Sequence, residues 1–153
     1  MLGLALAYGG IAQLLAGMWE FRTGNTFGAV AFSSYGAFWI SFYLLLTKTP
    51  LAASTPAAVA VYLYAWAIFT TYMFIASLRT TGAVALVFFL LAVTFFLLAI
   101  GNAGSSSSVL HAGGWVGLAT AVVAWYASFA GVLNSTFGRV VLPVVPLSRP
   151  TTR

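Results

Sequence analysis

Glu20 is the only carboxylate side chain in 153 residues; there is no Asp, and six Lys and Arg stand singly between apolar runs. Soluble domains carry about 25% charged residues; here the figure is 5%, against 62% hydrophobic. A globule of this size cannot hide so much apolar surface from water. The chain is therefore expected to be a polytopic membrane protein. The same poverty of charge removes whole classes of function. Paired-carboxylate chemistry and carboxylate metal cages lack their parts. No Ser-His-Asp set or HExxH motif can be assembled. Without Cys there are no disulfides, thiol nucleophiles or Cys-ligated metals. A net charge of +5 does not make a nucleic-acid surface, which needs basic residues clustered on one solvated face. No enzyme activity, metal, cofactor or nucleic-acid partner is expected.

A bilayer crossing takes roughly 20 apolar residues. Glu20, Arg22, Lys48, Arg79 and Arg139 cut the chain into pieces of about that length. The first span covers residues 1–21 and lacks the positive start of a signal peptide. Arg22-Thr23-Gly24-Asn25 turns into a second span, 26–46. Pro50, Ser54, Thr55 and Pro56 read as a loop and a helix start, followed by a third span at 58–77. The uncharged stretch from Thr80 to Gly138 would measure on the order of 90 Å as one helix, about three bilayers. It must fold back, and Gly101-Asn102-Ala103-Gly104 with Ser105 to Ser108 supplies the turn. Spans four and five are then 82–100 and 112–133, with a tail at 134–153. The runs are continuous rather than alternating, which argues against a barrel. The expected fold is an all-α, five-span helix bundle forming a single transmembrane domain.

Five crossings put Arg22, Arg79, Arg139, Arg149 and Arg153 on one side, and Lys48 with His111 on the other. The positive-inside rule makes the Arg-rich side, and with it the C-terminal tail, cytoplasmic. Pro143, Pro146 and Pro150 end helicity, so the tail is expected to be an extended strap whose Arg149 and Arg153 meet anionic lipid heads. Gly10 and Gly17, Gly24 and Gly28, and Gly113 and Gly117 have spacings that let helices approach closely.

A pathway for a small carboxylate through such a bundle needs neutral donors and a narrow apolar collar, because a midplane positive charge is costly. The candidates are Gln13, Ser33, Ser34, Tyr35, Ser41, Thr70, Thr71, Tyr72, Thr94 and Asn102. Gln13 lies mid-span, where an unpaired amide costs several kcal/mol, so it faces either a neighbouring helix or a lumen. Tyr35 is halfway along span two and either packs between helices or narrows a pore. Asn102 and His111 flank the outer loop, and His alone titrates near neutrality. Glu20, the sole carboxylate, is interfacial beside Arg22. It reads as a structural group or as a proton relay.

Several segments together resemble the acetate uptake transporter family, which includes the succinate–acetate permease. They are Tyr8-Gly9-Gly10-Ile11-Ala12-Gln13, Gly24-Asn25-Thr26-Phe27-Gly28, Phe32-Ser33-Ser34-Tyr35-Gly36-Ala37-Phe38-Trp39, Ala99-Ile100-Gly101-Asn102, His111-Ala112-Gly113-Gly114-Trp115-Val116-Gly117 and Leu133-Asn134 with Phe137-Gly138-Arg139. The resemblance implies a six-helix protomer with its own pore, a ring of six protomers in the cell membrane, and transport of acetate and succinate by a channel or proton-coupled mechanism. It places Gln13 beside the permeation path and Tyr35 and Leu91 in the hydrophobic constriction. Ala124 corresponds to a small residue that tunes substrate size. The family's first helix, opened by an Asn-Pro-Ala-Pro-type motif, has no counterpart in these residues, in keeping with an N-terminus placed outside. The alternative reading is a non-transporting membrane assembly protein that has lost that helix.

Overall fold

The computed structural model describes residues 2–48 and 55–148. The readings made for Pro50, Ser54, Arg149, Pro150 and Arg153 lie outside them. Five helices are long and apolar enough to cross a membrane, as the spacing of charges predicts: α1 (Leu2–Thr23), α2 (Thr26–Thr47), α3 (Pro56–Ser77), α4 (Gly82–Ala103) and α5 (Ser107–Phe137). No strand occurs among the described residues; an isolated antiparallel bridge joins Thr81 and Pro146. The helices fall into two compact units, within Met1–Thr55 and Pro56–Arg153.

In the first unit, α1 and α2 form an antiparallel hairpin. The turn follows from Gly24, which adopts a left-handed φ of 78°. The Asn25 N–H then donates to Glu20 O at 3.1 Å, closing the end of α1. Gly24 is thus a helix terminator with nothing packed against it, not the packing glycine that its spacing from Gly28 suggests. Asn25 caps α2 by accepting the Gly28 N–H at 3.1 Å. The two helices touch through small residues. A Cβ on Gly17 would overlap Ser33 Oγ and lie 2.6 Å from Ser33 N, and one on Gly36 would lie 2.7 Å from Leu14 N. Such backbone-to-backbone approach gains dispersion that larger side chains would forbid.

In the second unit, α4 is the most apolar helix and packs between α3 and α5. Its buried face, Ala85, Phe88, Ala92, Phe95 and Ala99, follows the 3.6 period. It meets the buried stripe of α3, Ala60, Leu63, Ala67, Thr70 and Met73. Phe74 and Phe89 pair across the two helices at 5.6 Å. The turn into α5 is shorter than the expected 101–108, because Gly101 to Ala103 remain helical and Ser107 already opens α5. Asn102 stays in the helix by donating its amide to Leu98 O at 2.8 Å. The chain reverses at Gly104 to Ser106, with Ser105 at a φ of 49°, and Ser106 N–H donates to Gly101 O at 2.8 Å.

Helix α5 also outruns its expected end, continuing to Phe137 before Gly138 stops it. Beyond it the prolines keep the chain extended, and it docks on the start of α4. Gly82 N–H donates to Val145 O at 2.7 Å, Ala83 N–H to Val144 O at 3.2 Å, and Leu147 N–H to Thr80 O at 3.0 Å. Val145 takes a left-handed φ of 54°, costly for a β-branched residue, so that two successive carbonyls meet the free N–H groups of α4. Asn134 holds the approach: its Oδ1 accepts from Val141 N and Leu142 N at 2.7 and 2.9 Å, and its Nδ2 donates to Leu142 O at 2.8 Å. The Tyr126 hydroxyl donates to Pro143 O at 2.6 Å.

Two stability outcomes follow. Gly17→Val is expected to destabilise by about 1–3 kcal/mol through overpacking, while Gly131→Ala, with nothing within 4 Å of the added carbon, is neutral or stabilises by about 0.5–1 kcal/mol. Equal melting temperatures in detergent would contradict the packing described at Gly17. Asn134→Ala is expected to cost about 1–3 kcal/mol and to speed hydrogen exchange at Gly82, Ala83 and Leu147; unchanged exchange would show that the strap docks without it.

Candidate functional site

Several polar residues of the spans are bonded within their own helices. Thr71 donates to Ala67 O, Thr94 to Leu90 O and Thr120 to Val116 O, each at 2.8 Å, and Ser41 donates to Phe38 O at 3.0 Å. These i−3 and i−4 bonds remove donors from any lumen. Ser33 Oγ is buried with no hydrogen-bond partner but is sealed against Gly17. Gln13 differs from all of these. Its side chain makes no hydrogen bond among the described residues, and it opens onto a cavity of about 300 Å³ lined by Tyr8, Gly9, Ala12, Gln13, Ala16 and Phe32.

The backbone explains how these side chains converge. Residues Ala5–Ala12 form a π-helix, and Gln13 is the first residue after it. In an α-helix, positions 8 and 13 would diverge by about 140°. The wider i→i+5 turn of a π segment narrows that divergence. Tyr8, 75% exposed, therefore stands over the same hollow as Gln13. Gly9 and Gly10 let the widened turn sit close to α2: a Cβ on Gly9 would lie 3.0 Å from Trp39 Cδ1 and one on Gly10 2.8 Å from Ile40 Cγ1. From α2, Phe32 closes the opposite wall. Sequence reasoning passed over Tyr8 and Phe32. The adjacent glycines were the one local sign that regular i→i+4 bonding would give way.

Tyr35 belongs to the same hairpin but does not line this cavity; it is 7% exposed and packed. The other expected pathway residues lie in the second unit. Thr94 and Thr120 hydroxyls meet at 3.4 Å between α4 and α5. In that antiparallel pair, Leu91 and Ala124 each lie about one turn from this contact, in the same direction. Both are half-buried. The Thr94–Thr120 contact therefore sets Leu91 and Ala124 at a common level of the unit. The Asn102 amide is bonded to Leu98 O. His111 instead lines a shallow apolar hollow of about 440 Å³ with Leu110, Gly114, Trp115 and Leu118.

Glu20 is turned across the hairpin toward the first turn of α2, where a Cβ on Gly28 would lie 2.9 Å from its Oε2. Its negative charge and the Asn25 cap together complement the N-terminal dipole of α2. Among the described residues no group of three or more His, Cys, Asp and Glu is placed to hold a metal.

Residues 1–149 match the GPR1/FUN34/yaaH family. The chain is 42% identical over 147 residues to the succinate-acetate/proton symporter SatP of Escherichia coli (strain K12), covering 94% of this chain and 78% of that protein. It is 43% identical over 162 residues to acetate permease A of Emericella nidulans, covering 94% of this chain and 54% of the permease. The solved structure of the bacterial acetate channel SatP superposes with a TM-score of 0.88 at 42% identity, covering 94% of this chain and 81% of the other. Five apolar helices among the described residues and these likenesses agree: the chain is an integral membrane protein and belongs to the GPR1/FUN34/yaaH family.

Proposed function

We propose that this chain carries acetate, and with it succinate-type small carboxylic acids, across the cell membrane along a path that uses the Gln13 amide. The observation that carries this reading is the unspent amide. A polar group left without a partner costs about 1–3 kcal/mol in proteins, and Ser41, Thr71, Thr94, Asn102 and Thr120 each spend a donor within their own helix. An amide left unpaired over a hollow flanked by Tyr8 and Phe32 fits a passing ligand better than a fixed neighbour. Two relatives whose names carry acetate, at 42 and 43% identity, support the same substrate.

In this reading Tyr35, Leu91 and Ala124 set the bore of the path. Leu91 and Ala124, level with each other beside the Thr94–Thr120 contact, contribute only apolar surface, as a collar that excludes hydrated ions requires. The Arg-bearing ends, with the strap at the end of α5, face the cytoplasm. Large apolar side chains exposed on α5, among them Leu118, Val122, Trp125 and Phe129, are covered by lipid or by neighbouring copies in a ring of protomers.

Labelled acetate uptake into proteoliposomes tests the reading. Gln13→Leu is expected to lower uptake about tenfold or more, the loss of one hydrogen bond to substrate, while leaving the melting temperature unchanged or raised because no protein partner is lost. Reduced uptake together with reduced stability would reassign Gln13 to helix packing. Leu91→Ala is expected to speed uptake of larger acids, and Ala124→Phe to block all of them. Uptake indifferent to both would remove these two residues from the path, and absence of protein-dependent uptake would favour a non-transporting assembly role.

A further inference from the structure

Resting on the transport reading above, we infer that the species accepted at the Gln13 hollow is the undissociated acid, and that the protein moves a proton by moving it on the substrate. Residues 1–19 contain no ionisable side chain other than tyrosine, and the nearest cation along α1 is Arg22, nine residues and about 13 Å from Gln13. A carboxylate in an apolar hollow needs a cation or several converging donors, and without them the cost of desolvation drives neutralisation instead. The hollow supplies one amide, the rim hydroxyl of Tyr8, and carbon: Gly9, Ala12, Ala16 and Phe32.

Hydrogen-bond complementarity points the same way. A carboxylate only accepts, whereas an amide both donates and accepts. Against a carboxylate, the Gln13 Nε2 is used and the Oε1 is turned toward like charge. Against a neutral carboxyl, Nε2–H donates to the acid carbonyl and Oε1 accepts the acid O–H, giving a closed two-bond ring that leaves neither partner unsatisfied. The methyl of acetic acid then rests on the apolar wall.

No protein group need titrate for this to happen. The groups around Gln13 can be named for both elements of its hairpin. On α1 they are Tyr8, at the hollow, and Glu20, which is turned to Gly28. From α2, packed against α1, only Phe32 reaches the hollow; Tyr35 and Tyr43 do not line it, and Lys48 caps the far end of the helix. An acid that takes up a proton from water on one side crosses neutral and releases that proton on the other. One proton and one carboxylate cross together, and no net charge moves.

The test uses the full chain in proteoliposomes with equal pH inside and outside, protein-free vesicles being subtracted for lipid leakage. Between pH 5.5 and 8, above the usual carboxylic range of about 4, the neutral fraction falls about tenfold per pH unit. At fixed, subsaturating total acetate, labelled acetate exchange is expected to fall with it. Acetamide has the same size and offers the same donor–acceptor edge but does not titrate in this range. It is expected to compete with acetate and to enter at a rate independent of pH. Both effects should vanish in Gln13→Leu and return in part in Gln13→Asn, which keeps the amide.

Exchange that stays flat or rises with pH overturns the inference while leaving acetate transport intact. Exchange that falls with pH while acetamide neither competes nor enters also overturns it, by placing the titration on the protein. Absence of protein-dependent acetate exchange at every pH removes the transport reading and this inference together.

Discussion

A hydrogen-bonding group inside a bilayer has no water to turn to, so the chain must satisfy it or leave it to a ligand. This constraint shapes both hairpins and core here. Threonine hydroxyls fold back onto carbonyls four residues earlier, at Thr47, Thr71, Thr94, Thr120 and Thr136. The helices can then meet over alanine and glycine with little polar residue between them. Ser33 Oγ is unpaired yet closed off by the backbone of α1 at Gly17, whereas the Gln13 amide is unpaired and open.

The same logic governs the helix ends. An N-terminus with free N–H groups is a ready anion site, and two of those described are closed by the chain itself. Asn25 caps α2 while Glu20 lies against its first turn. Thr81 caps α4 while the strained Val145 turns two carbonyls onto Gly82 and Ala83. Anion-attracting ends are thereby neutralised at both places.

Most of the architecture was readable from where charges and turn residues fall. Single charged residues cannot lie mid-bilayer without a partner, so Glu20, Arg22, Lys48 and Arg79 mark helix ends almost directly. What could not be read depends on packing between segments distant in sequence. The shortened α4–α5 turn needs Gly101 to receive Leu110, and the ordered strap needs Asn134 to bind residues seven and eight positions on. The hollow was hidden for a different reason. Tyr8 and Gln13 come round toward one another where Ala5–Ala12 abandons regular i→i+4 bonding, and periodicity arguments assume that bonding throughout. Leu91 and Ala124 carry no polar atom beyond the backbone, so residue chemistry leaves them anonymous; resemblance alone singled them out.

The likenesses pose a mechanistic problem that the Gln13 hollow addresses. One relative is named a proton symporter, and the solved structure under the same short name is called a channel. A symporter is ordinarily pictured with a protein group that binds and releases the coupled proton, and a channel with a continuous path and no such step. In this chain the one carboxylate side chain lies beside Gly28 at the start of α2, and the one histidine sits by an apolar surface hollow lined from α5 alone. Glu20 does not line the hollow of the Gln13 amide. If the proton rides on the acid, the two descriptions cease to conflict. The conduit needs only a shape, a donor–acceptor pair and a dry wall, yet each acid that passes delivers one proton. Coupling then becomes a property of the substrate in a site that rejects its charged form, and a nearly chargeless sequence suffices to impose it.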